Sequence, residues 1–216
     1  MKERYSRQIL FKPIGEKGQE RLASSHVVII GCGALGTTTS EMLVRAGVGK
    51  LTIADRDYVD MSNLQRQQLF TEQDALEGTP KVIAAKRHLS KLRSDVDIQT
   101  ILDHVDGPLL EQFIVDADLI IDATDNLQTR LLINAVAWKH GIPWIYGACV
   151  QSTGVVFPFV PGKTACFRCL LPVLPSVSQT CDTAGIIAPA AQIVASNQSA
   201  EALKWLTGNE ESIRTK

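Results

Sequence analysis

The apolar run Val27-Val28-Ile29-Ile30 ends in Gly31-Cys32-Gly33-Ala34-Leu35-Gly36, three glycines at G-x-G-x-x-G spacing, and a segment of helical character follows. No other feature constrains the fold as tightly. A strand that runs into such a turn opens a helix whose first backbone N–H groups can approach a phosphate closely, at the positive end of the helix. Asp55 stands 19 residues beyond Gly36, closing a second apolar run, Leu51-Thr52-Ile53-Ala54. A carboxylate there either accepts hydrogen bonds from a ribose or caps the end of its strand. Together the two sites imply a nucleotide. They leave open whether it is a redox cofactor or a substrate to be cleaved.

The rest of the chain alternates strand and helix. Residues 27–30 read as a first strand, 34–46 as the helix after the glycine turn and 50–54 as a second strand. The spacing predicts a helix over 81–92, a strand over 97–102, a short helix over 109–115 and a buried strand over 119–122. A helix over 128–139 and a strand over 143–146 continue the pattern. This order predicts an α/β fold: a Rossmann-like, mostly parallel sheet with helices on both faces and right-handed crossovers. After Cys149 the pattern shifts to a β-rich C-terminal extension starting at Gly154. A loop over 161–189 carries three of the five cysteines, and 190–206 reads as a final helix.

A length of 216 residues fits one domain, taken as 1–216. The net charge of −1 gives no electrostatic case for nucleic acid or an anionic membrane. No apolar run approaches the roughly 20 residues that span a bilayer, and the N-terminus has no apolar signal-peptide core. The odd cysteine count shows no spaced disulfide framework. It suggests a reducing, cytoplasmic setting and cysteines used for metal or reactivity.

Polar residues collect where the predicted strands end. Asp57 follows Asp55, and Asn63 and Arg66 follow the second strand in Asn63-Leu64-Gln65-Arg66-Gln67. Asp122, Asp125 and Asn126 follow the strand over 119–122, and Lys81 opens a helix. Ligands of open α/β sheets bind at that edge. Hydride transfer needs none of these residues. A nucleoside triphosphate needs cations for its phosphates and a carboxylate for Mg²⁺.

These segments resemble the ubiquitin-activating-like (E1-like) adenylyltransferases of the ThiF and MoeB family. The resemblance rests on Arg4-Tyr-Ser-Arg7-Gln, Gly31–Gly36, Asp55-Arg-Asp57, Ser62-Asn63-Leu-Gln-Arg66-Gln, Pro80-Lys81, Asp122-Ala-Thr-Asp125-Asn126, Cys166-Phe-Arg-Cys169 and Thr180-Cys181-Asp-Thr-Ala-Gly185. All eight run in family order over nearly the whole chain.

The resemblance implies an ATP-dependent enzyme. The C-terminal carboxylate of a ubiquitin-like sulfur carrier, ThiS or MoaD type, attacks the α-phosphate and yields an acyl-adenylate for thiazole or molybdopterin synthesis. It places the adenosine near Gly31, Gly33, Gly36 and Asp55, with Asp57, Asp122 and Asn126 around the nucleotide. Asn63, Arg66 and Lys81 hold the triphosphate, Asp125 holds Mg²⁺, and Arg7 reaches the phosphates of the other subunit of a homodimer. An apolar face around Leu35, Met42 and Leu43 is the expected pairing surface.

Cys166-x-x-Cys169 suits Zn²⁺, with two free thiols as the alternative. Family members supply a second C-x-x-C farther on. None appears here, and the chain stops about where that region would begin, so one adenylation domain without the family's C-terminal region is expected. Cys181 matches a cysteine used covalently in sulfur transfer, which implies a sulfur-donor protein; an ordinary loop residue is the alternative. Cys32 and Cys149 read as packing residues. The competing readings are an NAD-dependent oxidoreductase and a nucleotide-binding partner protein without activity. The first accounts for the glycines and Asp55 but not for Asn63, Arg66, Lys81 or Cys181.

Overall fold

The computed structural model describes residues 3–173 and 185–213. Six strands form one sheet in the order β3-β2-β1-β4-β5-β6. They are β1 (His26–Ile30), β2 (Lys50–Ala54), β3 (Asp97–Ile101), β4 (Leu119–Asp122), β5 (Trp144–Val150) and β6 (Thr153–Phe159). The first five are parallel, and β6 returns antiparallel to β5. The β-rich extension expected after Cys149 is thus the sheet's last, reversed strand.

Strand β1 is buried along its whole length because both faces of the sheet are covered. Val27 and Ile29 point into one core, with Leu51, Ile53, Leu119 and Ile121. Val28 and Ile30 point into the other, with Ile120, Trp144 and Phe159. The period of two is visible only from the contacts, since every position from Val27 to Ile30 is apolar. Each such side chain contributes about 1.5–3 kcal/mol on burial.

The helices that cover the first core are α2 (Gly15–Ser24), α3 (Ala34–Ala46), α5 (Lys81–Leu92) and α9 (Ala188–Leu206). The second core lies under α6 (Gly107–Phe113), α7 (Leu127–His140) and α8 (Phe167–Leu170). Two further short helices are α1 (Ser6–Ile9) and α4 (Glu72–Leu76). Helix α3 ends where Gly47 takes a left-handed φ of 105°, and the Gly47 N–H bonds back to Leu43 O at 3.1 Å.

The expected apolar pairing face is not there. Leu35 and Leu43 are 5% and 0% exposed, and Met42 is half-buried. Helix α9 lies across α3, so Leu35 packs on Ala191, Val194 and Ala195 within the same chain. Among the described residues, no helix is long and apolar enough to cross a membrane.

The strand order reverses direction between β1 and β4. Their C-terminal ends therefore open a crevice at the switch point of the sheet, and such crevices are where open α/β folds bind ligands.

Candidate functional site

The glycine turn forms one wall of that crevice. Gly31 leaves β1 with φ of 97°, a conformation that L side chains rarely adopt. A Cβ on Gly31 would sit 2.5 Å from the Ala123 carbonyl, and one on Gly36 would sit 2.0 Å from the Gly31 carbonyl. These two glycines let the turn close on itself and on the loop after β4. Gly33 is different: a Cβ there would meet nothing nearer than Gln67 Nε2, at 3.8 Å. Gly33 is also the N-cap of α3 and brings no side chain to cap it. The first N–H groups of a 13-residue helix are thus left for an anion.

Asp55 fixes this turn from the neighbouring strand. Its Oδ2 accepts from the Cys32 N–H at 2.6 Å and its Oδ1 from the Asp57 N–H at 2.8 Å. Each carboxylate oxygen has a further lone pair, so this cap coexists with a ribose hydroxyl. Cys32 itself is fully buried, and burial and the Asp55 charge push its thiol far above the ordinary range. It is a packing residue, not a nucleophile.

Lys81 opens α5 beside the turn. Its ammonium lies 3.0 Å from the Asp57 carboxylate, and its carbonyl faces Cys32 Sγ at 3.8 Å. Asn63 and Asp60 cap the short 3-10 helix Met61–Asn63 reciprocally, and Arg66 donates to the Ser62 carbonyl at 3.0 Å. Gln67 brings this segment over Gly33.

The loop after β4 divides its work. Asp122 is fully buried. Its Oδ1 accepts from the Thr124 N–H and hydroxyl at 2.9 and 2.6 Å, and its Oδ2 from Arg130 Nε at 3.2 Å. Burial pushes its carboxyl up, while the Arg130 charge and the Thr124 bonds work in the opposite direction. Asn126 caps α7, its Oδ1 accepting from the Thr129 N–H at 2.9 Å. Asp122 was expected either to meet the nucleotide or to hold the loop after its strand, and its oxygens hold the loop; Asn126, expected at the nucleotide, turns its oxygen to the helix. Asp125, between them, is exposed at the crevice.

Arg130 is a residue that sequence reasoning missed. It also donates to the Thr124 carbonyl at 2.7 Å and lies 5.1 Å from the Tyr146 ring centroid. A signal was present: an arginine in the first turn of a helix opposes the helix dipole and needs an acidic partner.

Arg7 is not part of this cluster within the chain. Gln8, its neighbour on α1, donates to the Ala46 carbonyl at 2.8 Å, so α1 sits at the C-terminal end of α3. Thirteen residues of helix put that end about 20 Å from the glycine turn.

Cys166 and Cys169 flank Phe167, whose burial against Trp144 and Phe159 pins this loop to the second core. The two sulfurs are 3.5 Å apart. The Cys169 backbone N–H is the main influence holding the Cys166 thiol below its ordinary value. Two thiolates on one tetrahedral zinc lie about 3.8 Å apart, so the pair fits half of such a site. Among the described residues no group of three or more metal-ligating side chains stands together. Cys181 lies outside the described residues.

A mostly parallel sheet with a glycine turn, a carboxylate beyond its neighbouring strand and two loops meeting at the switch point defines a doubly wound α/β protein of the kind that binds ligands at that edge. The comparisons narrow the class. The ThiF family model matches residues 5–216, and the chain belongs to that family. It is 55% identical over 210 residues to the sulfur carrier protein ThiS adenylyltransferase of Bacillus subtilis (strain 168), covering 97% of this chain and 62% of that protein. It is 38% identical over 207 residues to the molybdopterin-synthase adenylyltransferase of Escherichia coli (strain K12), covering 95% of this chain and 82% of that protein. The solved structure of E. coli MccB with ATP matches with a TM-score of 0.81 at 27% identity, covering 95% of this chain and 64% of that one. The chain therefore spans less than two thirds of the length of the B. subtilis relative and of MccB.

Proposed function

We propose that this chain adenylates the C-terminal carboxylate of a ubiquitin-like sulfur-carrier protein. The observation that carries the reading is the convergence of the Asp55-capped glycine turn, the Asp57–Lys81 pair and the exposed Asp125 on one crevice. The names of the relatives, ThiS and molybdopterin-synthase adenylyltransferases, supply the substrate class.

ATP lies with its ribose at Asp55 and its phosphates toward the α3 N-terminus, Arg66 and Lys81. The carrier carboxylate, already ionised, attacks the α-phosphorus; the bond to the bridging oxygen breaks, and pyrophosphate leaves with that electron pair. No general base is needed. The residues contribute by positioning and by neutralising the charge that builds on the phosphates. Mg²⁺ would neutralise phosphate charge when bound. It takes one or two protein carboxylates plus phosphate oxygens and water, and Asp125 would supply a carboxylate. Cys166 and Cys169 would hold a zinc ion as two of its four ligands.

Two copies pair so that Arg7 serves the partner's nucleotide. Its place at the far end of α3 supports this reading, since it is remote from the site of its own chain. Carrier-dependent exchange of pyrophosphate into ATP tests the function. Exchange with a ThiS- or MoaD-type carrier is expected. Folded protein that binds NAD tightly and ATP not at all would overturn the reading.

A further inference from the structure

Behind the site, β4 and β5 separate. They pair at Ile120 with Trp144 and at Ile121 with Ile145, and there the ladder stops. Strand β5 runs on beside β6 to Val150, while the other chain turns into the 122–126 loop. Gln198 of helix α9 fills this fork. Its Nε2 donates to the Asp122 carbonyl at 2.7 Å and to the Ile145 carbonyl at 3.2 Å. The side chain is completely buried. Its Oε1 has no hydrogen-bond partner among the described residues. Turning the amide over would set that oxygen against two carbonyl oxygens, so one orientation is held. Room for the amide exists because residue 147 is glycine: a Cβ on Gly147 would lie 2.4 Å from Gln198 Nε2.

On the β1 side the Ala123 N–H donates to Ile30 O at 2.8 Å; on the β5 side the last fixed point before the loop is the Asp122 carbonyl. From it, the Asp122 carboxylate and Arg130 hold Thr124, and Ala123 presses its carbonyl against Gly31. A shift of the Asp122 backbone therefore moves Asp125 and the glycine turn together.

We infer that Gln198 is a positioning residue, which sets where the loop after β4 carries Asp125 by clamping the fork between β4 and β5. Its catalytic consequence rests on the adenylation proposed above. The clamp itself does not.

Gln198→Met keeps the side-chain length and apolar packing and removes the donor. Amide hydrogen exchange is read at the Ala123 N–H, which donates to Ile30 O, and at the Thr124 N–H, which donates to Asp122 Oδ1. In Gln198→Met both should exchange about tenfold faster, with β1 amides unchanged. Pyrophosphate exchange should show kcat lowered about tenfold to a hundredfold and more Mg²⁺ needed for half-maximal rate, with the carrier KM unmoved. A merely structural residue would not separate these parameters. Gly147→Ala, which crowds the amide from the other side, should reproduce the pattern. In the unaltered protein, the Gln198 carboxamide protons should be protected from solvent exchange.

Freely exchanging carboxamide protons would overturn the inference without any variant. So would wild-type protection at Ala123 and Thr124 in Gln198→Met, or unchanged kcat and Mg²⁺ requirement in an active enzyme. An unaltered protein that shows no pyrophosphate exchange, beside faster loop exchange in the variant, sinks the adenylation reading and supports the clamp.

Discussion

The Lys81 ammonium and the Asp57 carboxylate, 3.0 Å apart, are held together a second time through their backbones, Lys81 N–H donating to Asp57 O at 2.9 Å. The lysine side chain is 9% exposed and the aspartate 57%, so the cation is fixed from within while its partner faces water. A pair with one partner in solvent contributes at most about 1 kcal/mol to stability. Its use is to aim a charge. Lys81→Met should lower pyrophosphate exchange about a hundredfold or more, through lost phosphate stabilisation. Thermal unfolding should stay close to wild type. Retained exchange in Lys81→Met would remove Lys81 from the phosphate site.

Arg66→Ala and Asp125→Ala should abolish exchange without unfolding the protein. Arg66 is half-buried and Asp125 exposed, so neither substitution opens a core cavity. Circular dichroism beside the exchange assay separates the two effects. Wild-type rates in both variants would refute the assigned roles.

Pairing with Arg7 in trans predicts complementation. Mixing inactive Arg7→Ala with inactive Arg66→Ala should restore part of the activity, because some mixed dimers contain one intact site. Sedimentation should give twice the monomer mass. A fully active monomer would contradict both. A pairing surface has to lie elsewhere than at Leu35, which α9 covers, and Leu43, which is buried in the first core.

The glycines of the turn should respond differently to alanine. Gly36→Ala places a Cβ against a backbone carbonyl that cannot move aside, and should destabilise by several kcal/mol. Gly33→Ala meets only the Gln67 side-chain amide, at an ordinary 3.8 Å, and should cost about 1 kcal/mol as a poorer N-cap. Its methyl group stands where a phosphate would approach. Denaturant unfolding beside ATP titration checks the contrast: Gly33→Ala should lose affinity with only that small loss of stability.

Asp74 supplies a pH dependence away from the site. Burial alone would raise its carboxyl, but bonds from Thr71, His88 and Arg87 outweigh that and hold it far below the ordinary range. Removing the carboxylate should cost about 2–3 kcal/mol, the scale of hydrogen bonds to a charged group. A depressed carboxylate contributes in full above its unfolded pKa of about 3.9 and loses that contribution as pH falls toward the folded value. The stability gap between wild type and Asp74→Asn should be constant at neutral pH and narrow below about pH 4. A gap that narrows toward alkaline pH instead would refute the sign.

Much of the architecture was legible in the residues. The bounds 34–46, 50–54, 81–92 and 119–122 match the helices and strands observed, because each is an apolar run or stripe closed by a breaker such as Gly47 or by a polar strand end. Helices α1, α2, α4 and α8 were missed, the last inside the stretch read as a loop; α2 has little apolar content beyond Leu22. Within the site, Asp55 and Asp125 follow their strands and Lys81 opens its helix, as the pattern predicts. Asp122 and Asn126 fall there too, yet their partners are Thr124, Arg130 and Thr129, and only coordinates reveal which way a side chain turns. The apolar face on α3 was misjudged because its cover, α9, comes from the other end of the chain. Gln198 was invisible for the same reason: the carbonyls it reaches lie 76 and 53 residues away.

The close approach of Gly31 to the Ala123 carbonyl also bears on how the family's sequences can be exchanged. The first half of the chain brings the turn, and a later segment brings the loop it presses against. A gene hybrid joined between α3 and β4 would unite a turn and a loop with different histories, each shaped to a neighbour it no longer has. Crossovers that keep both from one parent preserve the fit. Domesticating this scaffold by shuffling relatives is therefore a matter of inheriting residues 31–36 and 122–126 as a single unit, although the chain writes them far apart.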